Sequence, residues 1–201
     1  MKKLFLLFAI IGFQAYADTV SYVGSLDPSD PNSVALFSVT LAAPSGLNIQ
    51  TWGYGGGINA AGDAIAAGGF DPYVSLFAGS GDSATFLASN DDGLCPPGNG
   101  SVACHDSTLT LDNLAAGSYT VALTVFGNSS FAENFGAGSL GDGFIGLADY
   151  FDAASGITRT ADYAIDITTN APVPEPATLL LLAPALLLVL LCGRLRGIPK
   201  S

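Results

Sequence analysis

The sequence predicts an all-β chain, a jelly-roll-like β-sandwich of about seven or eight strands. Two observations carry this. Between Asp18 and Asn170, short runs of Val, Ile, Leu, Phe, Tyr and Thr alternate with polar residues at a period of two and are separated by Gly, Asp, Asn and Ser turns. No stretch there sustains the 3.6-residue apolar period of a long helix.

Taken in order, Thr19–Val23 is the first expected strand. Val34–Leu41 is the second, with Ala35, Phe37, Val39 and Leu41 on one face. Leu47–Trp52 places Leu47, Ile49 and Thr51 together. Tyr73–Ala78 and Ala84–Ser89 flank Gly79-Ser80-Gly81-Asp82, a hairpin turn. Ser107–Leu111 turns Leu109 and Leu111 inward. Ser118–Phe126 is the clearest strand, Tyr119, Val121, Leu123 and Val125 alternating with Thr120, Ala122 and Thr124. Ala161–Thr168 ends the set, with Tyr163, Ile165 and Ile167 in and Asp162, Ala164 and Asp166 out. Two stretches resist this reading. Gly53–Gly69 is Gly-rich, a short helical turn or a loop. Asn128–Phe151 carries Phe131, Phe135, Phe144 and Phe151, which either seal the sandwich edge or form a functional loop.

The two ends differ from the middle. Lys2 and Lys3, the apolar run Leu4–Phe13 and Ala15-Tyr16-Ala17 follow the order of a signal peptide over residues 1–17, with cleavage after Ala17. Residues 18–170 are the expected domain, and 171–176 a Pro-bearing linker. Residues 177–193 form an apolar sorting or transmembrane segment. Its run Ala177–Cys192 spans only ~24 Å as a helix, against a hydrocarbon core of ~30 Å. A basic tail, 194–201, bearing Arg194, Arg196 and Lys200, is expected on the cytoplasmic side.

From Asp18 to Val173 there are sixteen acidic residues and one base, Arg159, a net of −15. Nucleic acid is excluded as a partner, because phosphate contacts need Lys and Arg. Such a surface stays soluble by repulsion or holds cations. Cys95 and Cys104 are an even pair in an exported chain and are expected to form a disulfide. A metal site of Cys95, Cys104 and His105 is disfavoured by its spacing and its missing fourth ligand.

Calcium is the one cofactor with candidate ligands. Asp27, Asp30 and Asn32 precede the second strand, Asp71 precedes the fourth, and Asn90, Asp91 and Asp92 follow the fifth. Ca²⁺ takes six to eight oxygens from flexible loops, and loops of a sandwich meet at its ends. The alternative is that these residues close turns by Asx-type hydrogen bonds. No catalytic set is expected. His105 is the sole histidine, and no Gly-x-Ser-x-Gly elbow accompanies it. Trp52 and Tyr54 are candidate ligand-binding aromatics, either a platform for a sugar ring or part of the core.

Pro174-Glu175-Pro176, followed by an apolar run and Arg194 and Arg196, resembles the PEP-CTERM sorting signal of Gram-negative bacteria. The resemblance implies handling by an exosortase-like processing peptidase, an inner-membrane-anchored precursor, and delivery to the cell surface or exopolysaccharide matrix. Gly53-Tyr54-Gly55-Gly56-Gly57, Gly68–Phe77, Asn90-Asp91-Asp92-Gly93, Leu114–Tyr119 and Gly141-Asp142-Gly143-Phe144 make the middle similar to a PEP-CTERM-associated β-domain family related to bacterial pre-peptidase C-terminal domains. That resemblance implies an accessory or binding module, in some relatives calcium-bound. Asp27-Pro28-Ser29-Asp30-Pro31-Asn32 departs from the related calcium pattern through its two prolines. The expectation is a non-enzymatic exported protein binding polysaccharide or an envelope protein. The alternatives are an accessory domain of an envelope enzyme and a secreted hydrolase.

Overall fold

The alternating segments become strands, and the computed structural model describes residues 17–93, 105–153 and 156–170. In chain order they are β1 (Ala17–Ser25), β2 (Ala35–Leu41), β3 (Ser45–Thr51), β4 (Gly57–Ile58), β5 (Ala64–Ile65), β6 (Pro72–Ala78), β7 (Thr85–Asn90), β8 (Thr108–Leu114), β9 (Gly117–Val125), β10 (Phe151–Asp152), β11 (Ile157–Thr158) and β12 (Asp162–Asn170). A single helical turn, α1 (Phe131–Asn134), and a 3-10 turn at Leu140–Asp142 lie between β9 and β10.

Eight strands build two antiparallel four-stranded sheets, ordered β1-β12-β3-β8 and β2-β9-β6-β7. Counting only these eight in sequence, the orders are one-eight-three-six and two-seven-four-five, the double Greek key of a jelly roll. The expected fold class is therefore the observed one. The two-residue period puts Phe37, Val39 and Leu41 of β2, Leu47 and Ile49 of β3, Val121, Leu123 and Val125 of β9, and Ile165 and Ile167 of β12 into one core. Phe37 crosses between sheets, 4.7 Å from the Tyr22 ring and 6.0 Å from that of Tyr163. Each fully buried aliphatic of β9 contributes ~1.5–3 kcal/mol.

The outer faces differ from expectation. Thr120, Ala122 and Thr124 of β9 are buried, as are Ala164 and Asp166 of β12. A segment folds back over each sheet. Gly53–Gly69 is neither helix nor plain loop: it carries the β4–β5 hairpin, and its Ala60 N–H donates to the Asp166 carboxylate. Over the other sheet, Ala132 and Leu140 pack with Phe77, Ala84 and Ala122, flanked by Phe86 and Phe144. Of the aromatics in this second cover, Phe144 joins that cluster, whereas Phe131, Phe135 and Phe151 remain exposed.

The Cys95–Cys104 pair, residues 1–16, the linker 171–176 with its sorting motif, the apolar segment 177–193 and the basic tail lie outside the described residues. Ala17, the expected last residue of the signal peptide, is the first residue of β1. No helix among the described residues is long and apolar enough to cross a membrane.

Candidate functional site

The antiparallel order gathers the β1–β2, β3–β6, β7–β8 and β9–β12 connections at one end of the sandwich. Local chemistry fixes them there. Gly69 N–H donates to Gly53 O (2.9 Å) and Thr160 N–H to Gly68 O (2.9 Å). A Cβ on Gly69 would lie 2.5 Å from Asp162 O, so only glycine lets these segments pass. Their crossing sends Phe70 into the core and leaves Asp71 at the mouth, its carbonyl accepting from Phe126 N–H at 2.8 Å.

Two residues before β8 complete the framework. Asp106, fully buried, accepts from Thr51 Oγ1 (3.0 Å), Tyr54 N–H (3.1 Å) and Gly55 N–H (2.8 Å). The buried Ser107 hydroxyl donates to Pro72 O (2.6 Å) and lies against the carbonyls of Asn90 and Asp91. The start of β6 and the end of β7 are thereby pinned to the start of β8.

On this frame stand Asp71, Asn90, Asp91, Asp92 and His105. His105 Nδ1 is 3.2 Å from Asp92 Oδ1 and 3.5 Å from Asp71 Oδ2. One ligand atom from each of the three residues falls within 4.8 Å of the others, the one such group among the described residues. Asp71 Oδ1, Asn90 Oδ1 and Asp91 Oδ1 are buried acceptors with no hydrogen-bond partner among the described residues. Burial, reinforced by the neighbouring carboxylates and opposed by His105, pushes the Asp71 carboxyl up to about 7. Burial and Asp92 push Asp91 up to about 6. Crowded carboxylates with unpartnered oxygens are stabilised by a proton or a cation.

Against this group lies a network around Tyr54, whose ring is 4.7 Å from that of His105. The Tyr54 hydroxyl donates to Asp152 Oδ2 (2.6 Å), and burial together with that bond pushes the phenol up to about 12. The Arg159 guanidinium sits 3.6 Å over the Tyr54 ring and pairs with Asp152 at 2.9 Å. Residues of both groups line a cleft of about 480 Å³, among them Asp71, Asp91, Asp92, His105, Asp152 and Arg159.

The predicted metal ligands thus divide. Asp71, Asp91 and Asp92 line one cleft, whereas Asn90, the last residue of β7, is not in its lining. Asp27, Asp30 and Asn32 do not line it. Asp27 Oδ1 accepts from Ser29 N–H (2.9 Å) and Ser29 Oγ (2.7 Å), bonds that hold its carboxyl below the usual range. Asp30 Oδ1 accepts from Asn32 N–H at 2.9 Å. These are the Asx turns that the two prolines favour.

Trp52 and Tyr54 form no exposed platform. Both are buried, Trp52 donating from Nε1 to Asp166 Oδ2 at 2.8 Å. The cover over β12 encloses them. His105 had no expected role beyond the disfavoured cysteine site, and Asp106, Ser107, Asp152 and Arg159 had none. The one sequence signal for the first three is the polar run His105-Asp106-Ser107 directly before a strand; Asp152 and Arg159 carry none beyond Arg159 being the sole base of the domain.

Compared with known protein-family models and with curated proteins, the chain matches neither.

Proposed function

We propose that this is a non-enzymatic exported protein of the cell surface or exopolysaccharide matrix, whose jelly roll holds calcium at its loop end and binds glycan there. The observation that carries the cation is one cleft lined by Asp71, Asp91 and Asp92, in which Asp71 and Asp91 each keep a buried oxygen lacking a partner among the described residues. All are hard oxygen donors at or beside strand ends, the donor type Ca²⁺ prefers. Asp71, Asp91 and Asp92 would hold the ion, and it would replace mutual repulsion by a shared bond.

Export and sorting rest on the order of signal peptide, Pro174-Glu175-Pro176, apolar run and basic tail. An exosortase-like peptidase would process an inner-membrane-anchored precursor. The PEP-CTERM resemblance supports this route, and mass spectrometry of surface-released protein tests it. A new C-terminus near Pro176 is the expected result, and release with the tail intact is the contrary one.

A hydrolase reading draws on the raised Asp71 carboxyl, since such groups serve as acids. Against it, Asp71 and Asp92 both reach one imidazole nitrogen, closer together than the ~5–9.5 Å that flanks a glycosidic bond. The cation is tested by calorimetric titration with Ca²⁺. One-site binding that EDTA reverses supports the reading, and no heat of binding up to millimolar Ca²⁺ contradicts it.

A further inference from the structure

The same cleft carries a second kind of wall that the cation does not use. Phe126, Leu147 and Phe151 line it and are 54%, 66% and 51% exposed. Large apolar side chains are exposed together over a polar floor only at some cost, so such a grouping marks a contact surface. Phe126 follows β9 directly, and its N–H is bonded to Asp71 O at 2.8 Å. The apolar wall is therefore fixed to the carboxylate wall. The cleft, about 480 Å³, falls within the ~300–1,000 Å³ of small-ligand sites.

A ligand matching both walls has an apolar face and adjacent hydroxyls on its edge. We propose that the cleft binds one neutral pyranose unit of a polysaccharide, two vicinal hydroxyls completing the coordination of the bound calcium and the ring face lying on Phe126 and Phe151. This deepens the calcium reading above and rests on it. Charge selects the neutral sugar. A divalent ion among Asp71, Asp91 and Asp92 leaves them one charge negative, and Asp149 adds to it, while Asp152 and Arg159 cancel as an ion pair. Arg159 is already engaged by Asp152 and Tyr54. A uronate would meet net repulsion.

The test is affinity electrophoresis of the purified protein through gels containing a neutral β-glucan, mannan or galactan, or polygalacturonate. Each is run with Ca²⁺ and with EDTA, beside a thermal melt of the same samples. The expected result is retardation by at least one neutral polymer in Ca²⁺ only. In Phe126→Ala/Phe151→Ala it should weaken ~10-fold or more, while the calcium-induced rise in melting temperature is kept. Both side chains are exposed, so that melt also shows that the variant folds. A normal calcium rise with no retardation by any neutral polymer, or retardation by polygalacturonate alone, overturns the sugar proposal and spares the cation. Absence of the calcium rise overturns the cation reading, and with it the cation-bridged pose.

Discussion

His105 Nδ1 stands 3.2 Å from Asp92 Oδ1, so the residues that follow β7 and those that precede β8 meet beside Asp71. The imidazole is close enough to ligate a metal, but a nitrogen donor is foreign to calcium chemistry. We expect His105→Gln to keep the calcium-induced stabilisation and to lose any zinc-induced one. Differential scanning fluorimetry in each ion checks this. Loss of the calcium effect in His105→Gln would move the site to the transition metals.

Calcium affinity should rise with pH. Asp71 is raised to about 7 and Asp91 to about 6 by burial and their neighbours. A carboxyl whose folded value exceeds its unfolded one stabilises the fold below the unfolded value, and this is lost as pH rises through the folded value. In EDTA, the contribution of these groups to stability should therefore fall between about pH 4 and pH 7. Calcium competes with those protons, so its affinity should climb from pH 5 to pH 8 with proton release. Titration calorimetry in buffers of different ionisation heat measures that release.

Asp71→Asn removes one charge from the crowded group without changing its shape. In EDTA the variant should melt a few degrees higher than the parent at pH 8, since repulsion and a desolvated charge are gone. The calcium increment, ~2.7 kcal/mol at a hundred times Kd, should be largely lost. Asp27→Ala is the contrast. It deletes an exposed Asx turn, should barely move the melt in EDTA, and leaves the calcium increment intact.

Asp166 is buried and accepts from Trp52 Nε1 and Ala60 N–H, both at 2.8 Å. Asp166→Ala strands both donors and should cost ~2–4 kcal/mol, measured by urea unfolding. Trp52 is the sole tryptophan, so its emission reports this environment. It should be blue-shifted in the native protein, red-shifted in Asp166→Ala if the cover opens, and unaltered by polysaccharide. Quenching by a bound glycan would restore Trp52 as a contact residue.

The strands that read clearly were those with one apolar face, such as Phe37, Val39 and Leu41 of β2. The jelly-roll-like sandwich class followed from their number and turn chemistry; the strand order did not, because pairing joins residues far apart in the chain. The covers did not read. Gly53–Gly69 and Asn128–Ile145 have no period, and Thr120, Ala122, Thr124 and Asp166 look like solvent-facing residues until a neighbour supplies packing or donors. At the site, Asp71 and Asn90–Asp92 were legible as loop oxygens. Asp27 and Asp30 looked equivalent by type and differ only in having local partners. Asp106 and Ser107 act through contacts 16 to 56 residues away, which a local pattern does not carry.

The most direct measurement of the central claim is thermal unfolding of the purified protein at pH 8 in EDTA, in millimolar Ca²⁺ and in millimolar Mg²⁺. The account predicts a rise of roughly 5 °C or more in Ca²⁺, much smaller in Mg²⁺ and abolished by Asp71→Asn. Identical melts in all three solutions would contradict it and leave the loop-end carboxylates to share protons.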